Sequence, residues 1–156
     1  MDVEHLERQD IYLKQHVTYP LARVNARLTA QATRLLSKYS DLSLSQWRLM
    51  VVIESMGQAS IADIVRMLDF DKGQMSRVAQ NLVQRGLLKS KVSESDQRIH
   101  ILSLTEAGYL EFQRAAPYMK RRRDHLRQAL SEKERKQFLR LMDRIAIAAE
   151  TFEDQI

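Results

Sequence analysis

The sequence predicts a mainly α-helical chain with one small β-wing, and three observations point there. The 156 residues include only four Gly and two Pro, so turns are rare and long helices are favoured over many short strands. Apolar residues recur at three- and four-residue spacings along most of the chain, the period of helices buried on one face. Past Gly86 that period is lost for one short stretch interrupted by polar turn residues, the mark of a strand pair. The length, 1–156, is that of a single domain. A chain of this size buries roughly 70% of its unfolded surface and needs no staples.

Each element has its own local cause. Residues 1–17 form a polar arm with some apolar content. Thr18 is the candidate N-cap of a first helix, which tolerates Pro20 in its first turn and runs to about Tyr39. Leu21, Val24, Leu28, Ala32, Leu35 and Tyr39 make its apolar stripe. Ser43 with Gln46 has capping-box spacing and opens a second helix to about Met56. That helix is apolar on nearly every side, which predicts burial, and Gly57 suits its C-terminal cap. Ser60 with Asp63 resembles another box, opening a short helix with Ile61, Ile64, Val65 and Leu68 on one face. Asp71 with Gln74 opens a fourth helix, faced by Met75, Val78, Ala79, Leu82 and Val83 and ended by Arg85-Gly86.

Leu87 to Val92 then reads as a strand, residues 93–97 as a polar turn, and Arg98 to Ser103 as a second strand. Thr105 caps a fifth helix carrying Tyr109, Phe112, Ala116, Met119, Leu126 and Leu130, with a kink expected at Pro117. Ser131 with Glu134 is a clean capping box for a sixth helix, whose stripe is Phe138, Leu141, Met142, Ile145, Ala149 and Phe152.

The net charge of +5 is local. From Lys72 to Ser93 there is no Asp or Glu, while Lys72, Arg77, Arg85, Lys89 and Lys91 supply five positive charges. The remainder is balanced. A concentrated basic segment is the electrostatic footprint of something that meets phosphates. The alternative, a merely solvated helix face, usually carries mixed Glu and Lys that pair along the helix; this segment does not.

Two short helices joined by a tight turn and followed by a hairpin have winged helix-turn-helix order, in which the second helix enters the major groove of DNA. Its exposed face must then carry side chains able to read base edges, with cations beside it for phosphates. Here that face is Lys72, Gln74, Ser76, Arg77, Gln80, Asn81 and Gln84. Arg pairs with guanine edges, and Gln or Asn with adenine. Ser60 opens the first helix of the pair, and Lys89 and Lys91 lie on the first wing strand. In the wing turn, Arg98 is suited to the negative minor groove, and Asp96 either orients it or forms a surface ion pair with it.

At this point the residues resemble a family. The stretch from Asp96-Gln97-Arg98 through Leu102-Ser103-Leu104-Thr105 to Gly108 is similar to the D-x-R-x-x-x-L-x-L-T-x-x-G signature of the MarR (multiple antibiotic resistance regulator) family. Leu44-Ser45-Gln46-Trp47-Arg48-Leu49, Asp71-Lys72-Gly73-Gln74-Met75-Ser76-Arg77-Val78 and Arg85-Gly86-Leu87 resemble further parts of it, over roughly residues 18–150. One departure is Gly73-Gln74-Met75, where Ser or Thr is commoner and Gln74 would shift base preference. The resemblance implies a homodimeric transcription regulator, more often a repressor, joined through its first, fifth and sixth helices. Residue patterning agrees, because the flanking stripes are longer than one small domain can cover. The expected layout is dimerisation helices at 18–42 and 105–156 around a winged helix-turn-helix at 43–104, with the helix-turn-helix at 60–86 and the wing at 87–104. An isologous dimer calls for a pseudo-palindromic double-stranded operator with half-sites roughly 34 Å apart.

The resemblance also implies release from DNA by a small aromatic, phenolic or carboxylate effector. Tyr12, His16, Tyr19 and Arg23 near the first helix, with Trp47 and Met50 in the second, are the candidate pocket; the opposing reading makes Trp47 and Met50 plain core and the tyrosines interface packing. Cys is absent, which excludes disulfides, thiolate zinc sites and thiol oxidation sensing, and fits a cytoplasmic setting. The four His show no metal spacing, so no metal and no cofactor are expected. No run of apolar residues exceeds five and no signal peptide is visible, so no membrane partner is expected. Lys120-Arg121-Arg122-Arg123 reads as a solvated or partly interfacial face. No enzyme motif is present. The competing reading is an architectural DNA-binding protein without an effector.

Overall fold

The computed structural model describes residues 13, 15–68, 70–93 and 96–152. The elements in order are α1 (Thr18–Tyr39), α2 (Leu44–Met56), β1 (Ala59–Ser60), α3 (Ile61–Leu68), α4 (Lys72–Gln84), β2 (Leu88–Val92), β3 (His100–Leu104), α5 (Glu106–Gln128) and α6 (Glu132–Thr151). The chain forms two compact units, Met1–Ala116 and Pro117–Ile156. No helix among the described residues is long and apolar enough to cross a membrane.

Side-chain caps set most helix starts. The Ser43/Gln46 and Ser131/Glu134 boxes are closed in both directions. Ser60 and Asp63 do the same work for α3, with the Ser60 N–H donating to Asp63 Oδ2 at 3.0 Å and the Asp63 N–H to Ser60 Oγ at 3.2 Å. Asp71 accepts the Gln74 N–H at 2.7 Å at the start of α4. The expected cap at Thr18 is not made. Val17 precedes α1 in helical conformation with no side-chain cap, because the chain already turns there through His16 N–H to Leu13 O and Tyr19 N–H to His16 O. The helix α5 runs through Pro117 to Gln128, although Pro117 has no N–H to donate to the preceding turn.

The core of the first unit is built on α2, as its all-round apolar sequence requires. Leu49, Met50 and Ile53 are fully buried there, with Leu36 of α1, Ile64 of α3 and Met75 and Leu82 of α4. Each such side chain contributes about 1.5–3 kcal/mol. Trp47 stacks on Phe112 of α5, ring centroids 4.7 Å apart and 7° from parallel, which locks α2 to the start of α5. Glu111 beside it is buried, and its carboxylate accepts the Asp41 N–H at 2.7 Å and Arg114 Nη1 at 3.2 Å.

The sheet has three strands in the order β1-β3-β2, all antiparallel. The third strand, β1, has two residues, too few to show any sequence period. β3 starts at His100 rather than Arg98, because Ile99 N–H closes a turn onto Asp96 O. Thr105 joins sheet to helix: its hydroxyl donates to Gly86 O at 2.6 Å and accepts the Gly108 N–H at 3.0 Å, and its own N–H reaches Leu87 O at 3.1 Å. A Cβ at Gly108 would run into the Leu87 carbonyl. The L-T-x-x-G pattern is therefore a packing solution, in which a capping Thr and a missing side chain bring α5 onto the end of α4.

Candidate nucleic-acid interface

On α4, Met75, Ala79 and Leu82 face the core. The opposite face is Gly73, Arg77, Gln80 and Gln84 at i, i+4, i+7 and i+11, all exposed. This is the helical period projecting an acid-free stripe to solvent. Lys72, Gln74 and Asn81 are exposed along its flanks, and Ser76 is half-buried towards the sheet. The turn before α4 is held by Phe70, whose ring lies 5.4 Å from the Arg48 guanidinium.

Strand register divides the wing. Ser90 pairs with Leu102 and Val92 with His100, while Lys89 pairs with Ser103 and Lys91 with Ile101. Successive strand residues point to opposite faces, so Lys89 and Lys91 share one face and Ser90 and His100 the other. The second face and α4 enclose a mainly apolar cleft of about 460 Å³, lined by Ile61, Ser76, Ala79, Val83, Ser90, His100 and Leu102 among others. Ser90 Oγ and His100 Nδ1 are hydrogen-bonded across it at 3.2 Å. At the wing turn the Asp96 carboxylate accepts the Arg98 backbone N–H at 2.9 Å. The carboxylate thus shapes the turn, and Arg98 stays exposed.

The remaining expected site residues fall as follows. Ser60 is 92% buried by its relative exposure of 8%, and its hydroxyl donates to Asp63 Oδ2 at 2.7 Å. That hydroxyl, the Ser60 backbone N–H and the Arg66 guanidinium hold the Asp63 carboxyl below its ordinary value against a desolvation cost. Of the candidate pocket, Tyr12 lies outside the described residues. Trp47 and Met50 are buried in the core, Trp47 against Phe112. His16, Tyr19 and Arg23 are exposed on the first helix and its approach, with His16 and Tyr19 edge to face at 6.4 Å. The set is divided between core and surface.

One residue gains a part that sequence did not suggest. Gln46, read only as a cap, also donates Nε2–H to Asn81 Oδ1 at 2.8 Å and accepts from Arg85 Nη1 at 3.3 Å. It ties the start of α2 to the end of α4. Contacts between residues this far apart in the chain leave no local sequence signal.

A helix-turn-helix whose second helix offers an acid-free polar face, backed by a three-stranded sheet, is the winged helix-turn-helix class. Residues 40–99 match the MarR family. It is similar to the HTH-type transcriptional repressor IacR of Pseudomonas putida, 29% identical over 96 residues, which cover 62% of this chain. The matched part spans only 57% of that repressor's length. Among solved structures it is similar to the S. aureus MepR–DNA complex, with a TM-score of 0.77, 18% identity and coverage of 87% of this chain and 98% of MepR. It is also similar to Bordetella bronchiseptica BpsR, whose DNA binding is regulated by 6-hydroxynicotinic acid, with a TM-score of 0.73, 21% identity and coverage of 85% and 94%. At these identities the solved structures establish the shared fold.

Proposed function

We propose that this chain is a sequence-specific DNA-binding transcriptional regulator, a homodimeric cytoplasmic repressor with no catalytic role. The observation that carries the reading is the exposed α4 face of Arg77, Gln80 and Gln84, set in a segment with five cations and no carboxylate. Arg and Gln are the side chains that read base edges in the major groove, while Lys89, Lys91 and Arg98 offer charge to phosphates and the minor groove. Kinship with IacR, named a repressor, supports the same direction.

Dimerisation through α1, α5 and α6 is the second part of the proposal. Val24 on α1, Tyr109 and Leu110 on α5, and Phe138, Leu139, Leu141, Ile145 and Ile147 on α6 are all exposed in the single chain, and α6 has no buried residue at all among those described. In this reading residues 18–42 and 105–156 pair two copies, and 43–104 carries the DNA-reading part. Release by a small aromatic ligand is the third part. The cleft between α4 and the sheet supports it, because an apolar ligand wedged there would displace the reading helix from its wing.

The test is binding of the full chain to its own upstream DNA against bulk DNA of equal length, across a salt series. A regulator protects a pseudo-palindromic site and prefers it by about a thousandfold or more, with affinity falling steeply as salt rises. Binding that is strong but indifferent to sequence would establish the architectural reading instead.

A further inference from the structure

The Gln46 contact has a chemical consequence for what α4 can read. An amide has an acceptor end and a donor end, and which end faces which neighbour must be settled by partners that can play one role only. The Ser43 backbone N–H can only donate, and it meets Gln46 Oε1 at 2.8 Å. The Arg85 guanidinium can only donate, and it meets the same oxygen at 3.3 Å. The other end of Gln46 is therefore NH2, so the Asn81 atom 2.8 Å away must be its oxygen, Oδ1. The orientation of Asn81 is thus fixed from the N-cap of another helix.

A bidentate adenine contact needs Asn to accept from N6 and donate to N7 together. With Oδ1 held towards α2 by Gln46, the geometry leaves Nδ2 as the end of Asn81 offered to an outside partner. Arg77 and Asn81 on α4 and its C-cap Arg85 are spaced at i, i+4 and i+8, and all three present N–H donors. Resting on the DNA-binding reading, we propose that Gln46 is a positioning residue for recognition: it makes Asn81 a donor-only contact, aimed at an acceptor on DNA rather than at adenine. The acceptor is either guanine O6/N7 or a phosphate oxygen, and the two differ in whether the contact carries sequence information.

Gln46→Glu separates this role from the cap. Glu at that position still closes the box with Ser43 and still accepts from Arg85, but it cannot donate to Asn81. The Asn81 amide then turns over and offers Oδ1 outwards. A site is selected from a randomised double-stranded DNA library with the full wild-type chain. Binding of wild type, Gln46→Glu and Asn81→Ala to every single-base variant of that site is then compared at two salt concentrations. The expected result is that both variants lose about three- to tenfold in affinity, the worth of one hydrogen bond. If the acceptor is guanine, the loss falls at one base pair per half-site, and Gln46→Glu shifts preference there towards a base that presents an amino group. If it is phosphate, the loss is uniform across variants and remains at the higher salt for Asn81→Ala. Unchanged affinity and preference in both variants would overturn the proposal, as would an adenine preference that disappears in Asn81→Ala. Should Gln46→Glu fail to fold, the surface variant Asn81→Ala alone still decides between donor-only and adenine reading. A library that yields no preferred site for wild type refutes the regulator reading, and this proposal with it; an enriched site that ignores both variants refutes this proposal alone.

Discussion

Gly108 and Ser60 show how single positions set the join between sheet and helix and the start of a helix. At Gly108 the α5 backbone lies so close to Leu87 that any side chain meets a carbonyl. Gly108→Ala is expected to destabilise the chain by about 1–3 kcal/mol, the range for overpacking a close contact, read as a lower denaturation midpoint with an unchanged slope. Ser60 offers a prediction with a pH signature. Because the folded state holds the Asp63 carboxyl below its ordinary 3.8, the cap's ionic contribution is fully present above that value. It is lost as pH falls through the lowered folded value, where the carboxyl protonates. Ser60→Ala should therefore cost about 1 kcal/mol at neutral pH, and the gap between variant and wild type should narrow in acid. A gap independent of pH would mean that the Ser60 hydroxyl, not the Asp63 charge, supplies the stability.

Helix starts were legible because capping is local: Ser43/Gln46, Asp71 and Ser131/Glu134 lie within one turn of what they stabilise. β1 was not legible, since a two-residue strand exists only through its pairing with β3. The candidate site divides in the same way. The outward stripe of α4 follows from helical period alone. The division of the wing into a lysine face and a cleft face needed the strand register, and the fate of Asn81 needed Gln46. The reading helix and wing also make different predictions. Arg77→Ala should cost about 1–3 kcal/mol in operator affinity and relax one base position. Lys89→Ala should weaken all sequences alike and lower the salt slope by about one. Equal behaviour of the two across operator variants would contradict the base-reading role proposed for Arg77.

For the molecule as a whole, the decisive quantity is the apolar surface that one copy leaves uncovered. The sequence stripe on α6 was read correctly as apolar, yet Phe138, Leu141 and Ile145 remain exposed; a stripe specifies that it wants a partner without saying which. If a second copy is that partner, Leu141→Asp should turn a concentration-dependent dimer into a monomer in sedimentation experiments. It should also weaken operator binding by about a hundredfold or more, because linked half-site contacts are lost. A Leu141→Asp chain that sediments like wild type would remove α6 from the interface.

The caps at the heads of α2, α3, α4 and α6 also bear on how the chain reaches its fold. Each of these helix starts is specified by neighbours within one turn, so its position does not depend on distant contacts. What remains for the late steps is the closure of β1 onto β3, whose partners Ala59 and Leu102 are far apart in the chain. Local contacts form quickly and distant pairings slowly, so β1 is expected to close onto the local β2–β3 hairpin only after the helices have formed.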